Sequence, residues 1–134
     1  MKPYAAYAIG AALVDTEIQV TDAELSAMSV EKGMMTLVDQ DRQREMLAQL
    51  SDHLIAASHA SGGSAGNSMI ATAMMGAPTY MSCKVARDAD GDIYLADLEE
   101  SGVAHGATDR NNDGVTGKCI VLITPDAERS LNTH

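Results

Sequence analysis

The stretch "ASHASGGSAGNSMIATAMMG", residues 57–76, sets the predicted architecture, because its most flexible residues run directly into an apolar, methionine-rich segment. The segment from Ser64 to Gly76 is predicted to be a helix, closed by that glycine and a following proline. Gly62 and Gly63 remove side chains directly in front of the helix. The first turn of a helix presents backbone N–H groups without intrahelical partners at a partially positive end. The stretch therefore predicts a place where a polyhydroxylated or anionic ligand can approach the backbone.

Two polar side chains, Ser64 and Asn67, add hydrogen-bonding groups to the same place. The stretch lacks the Gly-Lys-Ser/Thr ending of a P-loop, which excludes a nucleotide triphosphate cradle of that type. It also lacks the spacing of the dinucleotide-binding fingerprint. The alternative is a purely structural strand-to-helix turn in which Ser64 is the cap. The local pattern alone leaves both interpretations open.

Around this stretch, predicted strands and helices alternate. Residues 13–20 alternate apolar and polar residues, as a half-buried strand does, and Thr21 with Glu24 forms a capping box that starts a helix. Further strands are predicted over Gly33–Asp39, Ile55–His59, Thr79–Ala86, Gly117–Thr124 and Glu128–His134, with helices from about Gln40, over Ser64–Gly76 and over Gly91–Gly102. This order is typical of an α/β fold with a mainly parallel sheet.

Composition narrows the function classes. The 134 residues include 19 acidic and 9 basic residues, a net charge of −10, which argues against non-specific nucleic-acid binding. No apolar run approaches the roughly 18 residues of a membrane helix. The apolar start is interrupted by Pro3 and ends at Asp15, so we do not expect a signal peptide. Cys83 and Cys119 lie in apolar runs without metal spacing, which favours reduced cysteines in a cytoplasmic protein.

One loop begins like a calcium-binding loop. In "DRNNDGVTGKCI", Asp109, Asn111, Asp113 and Gly114 fill its first, third, fifth and sixth positions. The twelfth position, where a bidentate Glu belongs, is Ile120. We therefore favour an acidic hairpin tip rich in turn-forming residues. The acids of "RDADGD", residues 87–92, lie at the start of the helix predicted from Gly91 and favour its positive end; a metal site there is the less favoured alternative.

At this point the chain resembles a known family. "GGSAGN" followed by a small-residue helix is similar to the substrate loop of the PfkB/ribokinase-type sugar and nucleoside kinases. In the same order, "GAALVDTEIQV" resembles the family's opening Gly-Asn-Ala-Leu-Val-Asp, and "SCKVARDADGDIYLADLEESGV" its Lys-Val-Gly-x-Asp-x-x-Gly stretch. "KGMMTLVD" and "TGKCIVLITPDAERSLNTH" resemble the segments that follow those motifs. The likeness covers essentially all 134 residues.

The resemblance implies a truncated ribokinase-like α/β fold, a mainly parallel sheet flanked by helices with a small β lid. Residues 1–134 would be one partial domain, with lid strands at about 13–20 and 116–133 that close over the sugar. A homodimer through these lid strands is a further expectation.

The resemblance also implies a substrate site. Asp15 would accept hydrogen bonds from sugar hydroxyls at the end of the first strand; alternatively it is a helix-cap or turn aspartate. Gly62, Gly63, Ser64 and Asn67 would hold the remaining hydroxyls. ATP and Mg²⁺ are implied by the family, but no catalytic or metal-binding residue is expected in this chain.

Three departures from the family pattern matter. Ala11 replaces an Asn and Ala86 a Gly, and nothing matches the family's Gly-Ala-Gly-Asp motif with its aspartate base and ATP pocket. We therefore expect the N-terminal, substrate-binding portion of an ATP-dependent kinase that is inactive alone. The alternative is a stand-alone, non-catalytic sugar- or nucleoside-binding module. "TPDAERSLNT" and "SCKVA" lean toward a nucleoside substrate, while fructose- or ketodeoxygluconate-type substrates stay open.

Overall fold

A computed structural model describes residues 3–107, 110 and 113–134 of the chain. The strands are β1 (Ala6–Ile9), β2 (Leu13–Gln19), β3 (Met35–Leu37), β4 (Ser58–Gly62), β5 (Thr79–Ser82), β6 (Val103–His105), β7 (Gly117–Ile123) and β8 (Arg129–Thr133). The helices are α1 (Asp22–Ala27), α2 (Gln40–Gln49), α3 (Ser64–Met74) and α4 (Ala89–Glu100), and Leu54–Ala56 forms a 3-10 turn.

The chain folds into two compact units, of which the first comprises Met1–Val14 and Ala60–Gly117. Its sheet is parallel, in the order β1-β5-β6, with Ala6 opposite Thr79 and Thr79 opposite Val103. Helices α3 and α4 supply Met69, Tyr94 and Leu98 to the core that covers one face of this sheet; the other buried members are Ala12, Val14, Met81, Val85 and Val103. Alternate residues of β1 point the other way, where Tyr7 and Ile9 are exposed.

The second unit comprises Asp15–His59 and Lys118–His134. Its strands belong to a mixed five-stranded sheet, in the order β3-β8-β7-β2-β4, in which β7 and β8 are antiparallel and β3 and β8 parallel. Helices α1 and α2 bury Leu25 and Met46 against Ile18, Ile120 and Leu122 of the strands. Helices α1 and α2 therefore cover one face of this sheet. The opposite face is also buried at its centre, where Cys119 and Val121 are 2% and 4% exposed.

Most of the predicted elements are confirmed, including the α/β class with a parallel sheet flanked by helices. The capping box of Thr21 and Glu24 is present, and α2 begins at Gln40 as predicted. Cys83 and Cys119 are free thiols. None of the helices in the described ranges has the length and apolar character needed to cross a membrane.

One predicted strand is misplaced and one observed strand was not predicted. The strand predicted at residues 55–59 lies at Ser58–Gly62, after a 3-10 turn in which Ile55 is 95% exposed. The three-residue strand β6 was not predicted, because it is too short to show a period. The assignment of 1–134 to a single partial domain, the lid strands 13–20 and 116–133 and the homodimer all stay predictions.

Candidate functional site

The glycine pair lies between a strand and a helix, as predicted. Gly62 is the last residue of β4, and Gly63 is the N-cap of α3 with φ +84° and ψ 137°. L-residues rarely adopt this backbone conformation, which glycine adopts freely. A Cβ at Gly63 would also lie only 3.0 Å from the Ala11 carbonyl oxygen. Both the backbone and the available space therefore require glycine at residue 63.

The start of α3 is open. No described side chain caps it, and its first backbone bond runs from the Asn67 N–H to the Gly63 carbonyl at 3.0 Å. The alternative in which Ser64 is the cap is wrong, because Ser64 is the first helical residue. The N–H groups of the first turn have no intrahelical partner in this geometry and point out of the helix end. The predicted uncapped helix end behind paired glycines is thus confirmed.

This helix start lies at the carboxyl end of β1. A Cβ on Gly10, the residue after β1, would lie 2.5 Å from the Ala65 Cβ, so the strand end and the first helical turn are in close contact. The Gly10 N–H also donates to the Ser82 carbonyl at the end of β5, at 3.2 Å. Open α/β sheets bind ligands outside the carboxyl ends of their strands. The glycine pair occupies that position in the first unit.

Helix α4 supports the glycine pair and α3 from within the same unit. The Ser61 N–H donates to Asp97 Oδ2 of α4 at 2.6 Å, which fixes the strand just before the glycines. A Cβ on Gly66 would lie 2.6 Å from the hydroxyl of the fully buried Tyr94, so only glycine allows α3 to lie this close to α4. Burial raises the pKa of Tyr94 to about 12. Sequence reasoning missed these residues; a glycine at the third position of a helix was the available signal for Gly66.

The polar residues predicted around the glycines are brought together. Ser64 and Asn67 are both exposed and lie three residues apart, which places them on one side of α3 at its open end. The Ser64 carbonyl accepts a hydrogen bond from the Ser68 hydroxyl at 2.7 Å. The structure thus groups Gly62, Gly63, Ser64 and Asn67 at one helix start.

Asp15 belongs to the second unit, where it is the third residue of β2 and not the end of the first strand. The alternative of a helix-cap or turn aspartate is therefore wrong. Asp15 is half-buried, and burial raises the pKa of its carboxyl; nearby Glu17 raises that pKa further, and Arg129 lowers it. A hollow shared by Asp15 and Asn67 stays a prediction.

The face of the five-stranded sheet opposite α1 and α2 is partly acidic and partly apolar. Along β2, Val14, Thr16 and Ile18 are buried, so Asp15 and Glu17 lie on the face away from α1 and α2.

The register of β3 with β8 places apolar side chains on the same face, at the β3 edge of the sheet. Met35 pairs with Leu131 and Leu37 with Thr133, whereas Thr36 pairs with the buried Asn132. Met35 and Leu37 are 63% and 77% exposed. This face therefore combines hydrogen-bond acceptors with an apolar surface.

The acidic loops form no metal centre in the described ranges, where no group of three or more His, Cys, Asp or Glu side chains could hold a metal ion. Asp109 and Asn111 of the calcium-like loop lie outside the described residues. In "RDADGD", Asp88 is the N-cap of α4, and the other acids of this stretch lie in its first turn, as predicted.

The two alanines that depart from the family pattern are accommodated differently. Ala86 is 1% exposed and has an ordinary backbone conformation, since only Ser29 and Ala127 among the described non-glycine residues have a positive φ. The turn at Ala86 therefore tolerates a side chain. Ala11 is exposed and offers only its backbone beside Gly63.

Comparison with known structures identifies the same architecture in known kinases. A probable sugar kinase from Rhizobium etli CFN 42 matches with a TM-score of 0.84 and 30% identity over 100% of this chain and 39% of its own. An adenosine kinase from Sinorhizobium meliloti matches with a TM-score of 0.83 and 32% identity over 98% of this chain and 39% of its own. An adenosine kinase from Anopheles gambiae shares the fold, with a TM-score of 0.83 and 21% identity over 96% of this chain and 40% of its own.

These structures confirm the ribokinase-like fold class, and this chain spans about two fifths of their length. The family model of the pfkB family carbohydrate kinases matches residues 25–134, which is most of the chain. The chain therefore belongs to the PfkB family of carbohydrate kinases.

Proposed function

We propose that this chain is the substrate-binding, N-terminal portion of an ATP-dependent kinase that transfers a phosphoryl group to a hydroxyl of a nucleoside or sugar. The observation that carries the proposal is the open start of α3 behind Gly62 and Gly63, at the carboxyl end of β1. The family membership supplies the reaction class.

Substrate hydroxyls would meet three kinds of group. The free N–H groups of the first turn of α3 donate to hydroxyl oxygens, assisted by the helix dipole. Asn67 can donate and accept through its amide. Asp15 accepts two hydroxyl donors when ionised, and such bonds would stabilise the carboxylate that burial disfavours. Substrate binding would therefore lower the raised pKa of Asp15.

The exposed apolar edge of the second unit's sheet favours a nucleoside over a simple sugar. Met35 and Leu37 present exposed apolar surface on the same face as Asp15. A base or other apolar ring can cover such side chains, and a sugar alone has no comparable apolar surface. The matched adenosine kinase from Sinorhizobium meliloti is consistent with this preference.

ATP and Mg²⁺ enter the proposal through the family alone. The described residues hold no cluster of three or more His, Cys, Asp or Glu side chains that could bind a metal, and the 134-residue sequence contains no Gly-Ala-Gly-Asp stretch, so no catalytic step is assigned to any residue here. We infer that these residues bind substrate in the cytoplasm but do not transfer phosphate by themselves. Steady ATP-dependent phosphorylation of adenosine, inosine, ribose or fructose by the 134-residue chain would contradict this inference.

Ligand-induced stabilisation tests the binding site. Adenosine and inosine should raise the midpoint of thermal unfolding of the 134-residue chain, and ribose or fructose should raise it less. The Asn67→Ala variant should lose most of this shift, because it loses a polar contact at the start of α3. Ser68→Ala is the matched control, since its hydroxyl is satisfied by the Ser64 carbonyl within the same helix. Equal shifts in both variants, or no shift with any ligand, would refute the proposed site.

A further inference from the structure

Asp88 makes more hydrogen bonds than a helix cap requires. Its Oδ1 accepts from the Gly91 N–H at 2.8 Å, which caps α4, and also from the Thr116 hydroxyl at 2.7 Å. Its Oδ2 accepts from the Thr116 N–H at 2.8 Å. One carboxylate therefore ties the start of α4 to a residue 28 positions further along the chain.

Thr116 passes the connection on to the loop that follows β5. Its hydroxyl donates to Asp88 and accepts from the Ala86 N–H at 3.0 Å, and Thr116 is only 4% exposed. The Arg110 guanidinium donates to the carbonyls of Ala86 and Asp88 and pairs with Asp92. A Cβ on Gly91 would overlap the Ala86 carbonyl and approach Thr116 Oγ1 to 3.0 Å. The cluster is therefore closely packed as well as fully hydrogen-bonded.

The electrostatics of Asp88 agree with this geometry. Burial alone would raise the pKa of its carboxyl, but the hydrogen bonds from Thr116 and Gly91 and the nearby Arg110 bring that pKa below its usual range. The carboxylate is thus held in its charged form, as a fixed acceptor.

The segments that meet at Asp88 have positions of functional interest. Residues 83–87 leave the carboxyl end of β5, whose last residue is bonded to the end of β1 beside the start of α3. Thr116 directly precedes β7, and Gly117 is the last residue of the first unit. Asp88 therefore fixes both the ligand-side loop after β5 and the exit of the chain from this unit.

We propose that Asp88 is a positioning residue for substrate binding, which it supports by holding Thr116 and the loop of residues 83–87 in one arrangement. This proposal rests on the proposed function, because the loop lies at the strand ends where the substrate is proposed to bind. Asp88 does not itself contact the substrate.

A second aspartate offers a matched control. Asp39 is the N-cap of α2, where its Oδ1 accepts from the Arg42 N–H at 2.7 Å. This bond is of the same type as the one by which Asp88 caps α4. Asparagine is as good an N-cap as aspartate. Asp39→Asn and Asp88→Asn therefore both keep the cap and both lose one charge. The Asp88→Asn substitution also replaces an acceptor for the Thr116 N–H by a donor.

The test combines amide hydrogen exchange with adenosine affinity, measured on the 134-residue chain at a temperature where every variant is folded. We expect Asp88→Asn and Thr116→Val each to speed exchange at residues 84–88 and 116–118 about tenfold and to weaken adenosine binding by a similar factor. The double variant should be worse than either single variant, because Asp88→Asn breaks the bond from the Thr116 N–H and Thr116→Val breaks the bonds of its hydroxyl. Asp39→Asn should change neither property by more than about twofold.

The outcomes separate this proposal from the one on which it rests. Faster exchange in Asp88→Asn with unchanged adenosine affinity would overturn the positioning role and leave a structural one. Unchanged exchange would overturn it as well. If the wild-type chain bound neither adenosine nor any sugar, the proposed function would fail and the positioning role with it, whatever the exchange pattern.

Discussion

The two helices of the first unit begin in opposite ways. Helix α4 starts at Asp88, whose carboxylate caps the helix and is itself held by Thr116. Helix α3 starts at Gly63, with no side-chain cap among the described residues. Removal of a cap costs about 1 kcal/mol of stability, so α3 lacks a stabilising contact that α4 has. The uncapped start of α3 is also the helix end that lies beside the paired glycines and the end of β1, where we propose that the ligand binds.

The largest effect on stability is expected from a substitution that adds a side chain within the packed start of α4. Gly91→Ala should lower the free energy of unfolding by about 3 kcal/mol, because its Cβ would overlap the Ala86 carbonyl within a packed cluster. Gly76→Ala is the control: Gly76 has φ +88° with nothing near a Cβ, so only backbone strain of about 1 kcal/mol is expected. Urea unfolding measures both, and equal losses would contradict the packing of this cluster.

A side chain added at Gly63, the uncapped start of α3, should lower stability and weaken ligand binding. Gly63→Ala forces a residue with a side chain to φ +84° beside the Ala11 carbonyl, at a cost of about 2 kcal/mol. It should also weaken adenosine binding about tenfold, since the N–H groups of α3 would be displaced. Calorimetric titration checks the affinity. Unchanged binding by a folded Gly63→Ala variant would show that the ligand does not approach the backbone there.

The stability that Asp88 contributes at the capped start of α4 should depend on pH. Because the folded-state pKa of Asp88 is lowered, its stabilisation is complete above the unfolded value of about 3.9 and is lost as the pH falls through the folded value. Asp88→Asn should therefore cost about 1 kcal/mol at pH 7 and very little at strongly acidic pH. Urea unfolding across this range measures the difference, and a difference that does not shrink on acidification would contradict the stabilised carboxylate of Asp88.

The smallest effect on stability is expected at Asp15. Its raised pKa means that the folded chain disfavours the charged form, so stability should rise slightly as the pH falls through the folded value. Asp15→Asn should give a similarly small gain at pH 7, yet weaken adenosine binding about tenfold by losing a charged acceptor. An Asp15→Asn variant that lost stability at neutral pH, or kept full affinity for adenosine, would contradict the proposed role of Asp15 as a hydrogen-bond acceptor for the substrate.

Sequence reasoning succeeded where the determinants are local. The capping box of Thr21 and Glu24 and the glycine pair before α3 each lie within a few consecutive residues, and both are confirmed. It failed where an apolar residue is not buried: Ile55 suggested a strand, but it lies exposed in a 3-10 turn.

The long-range parts of the candidate site could not be predicted in the same way. The bonds between Asp88 and Thr116 join residues far apart in sequence, and the close contact of Gly10 with Ala65 depends on how α3 packs at the end of β1. Neither has a local pattern. The family resemblance supplied Asp15 as a site residue, and its cooperation with the glycine pair stays a prediction.

The most direct test of the open helix start is a titration of the ¹⁵N-labelled chain with adenosine, followed by its amide resonances. The account predicts that the amides of Ser64, Ala65 and Gly66 shift with the ligand and saturate together, while the Gly91 amide, already bonded to Asp88, stays in place. Saturable shifts elsewhere that leave the first turn of α3 unaffected would contradict the claim that this helix end binds the substrate.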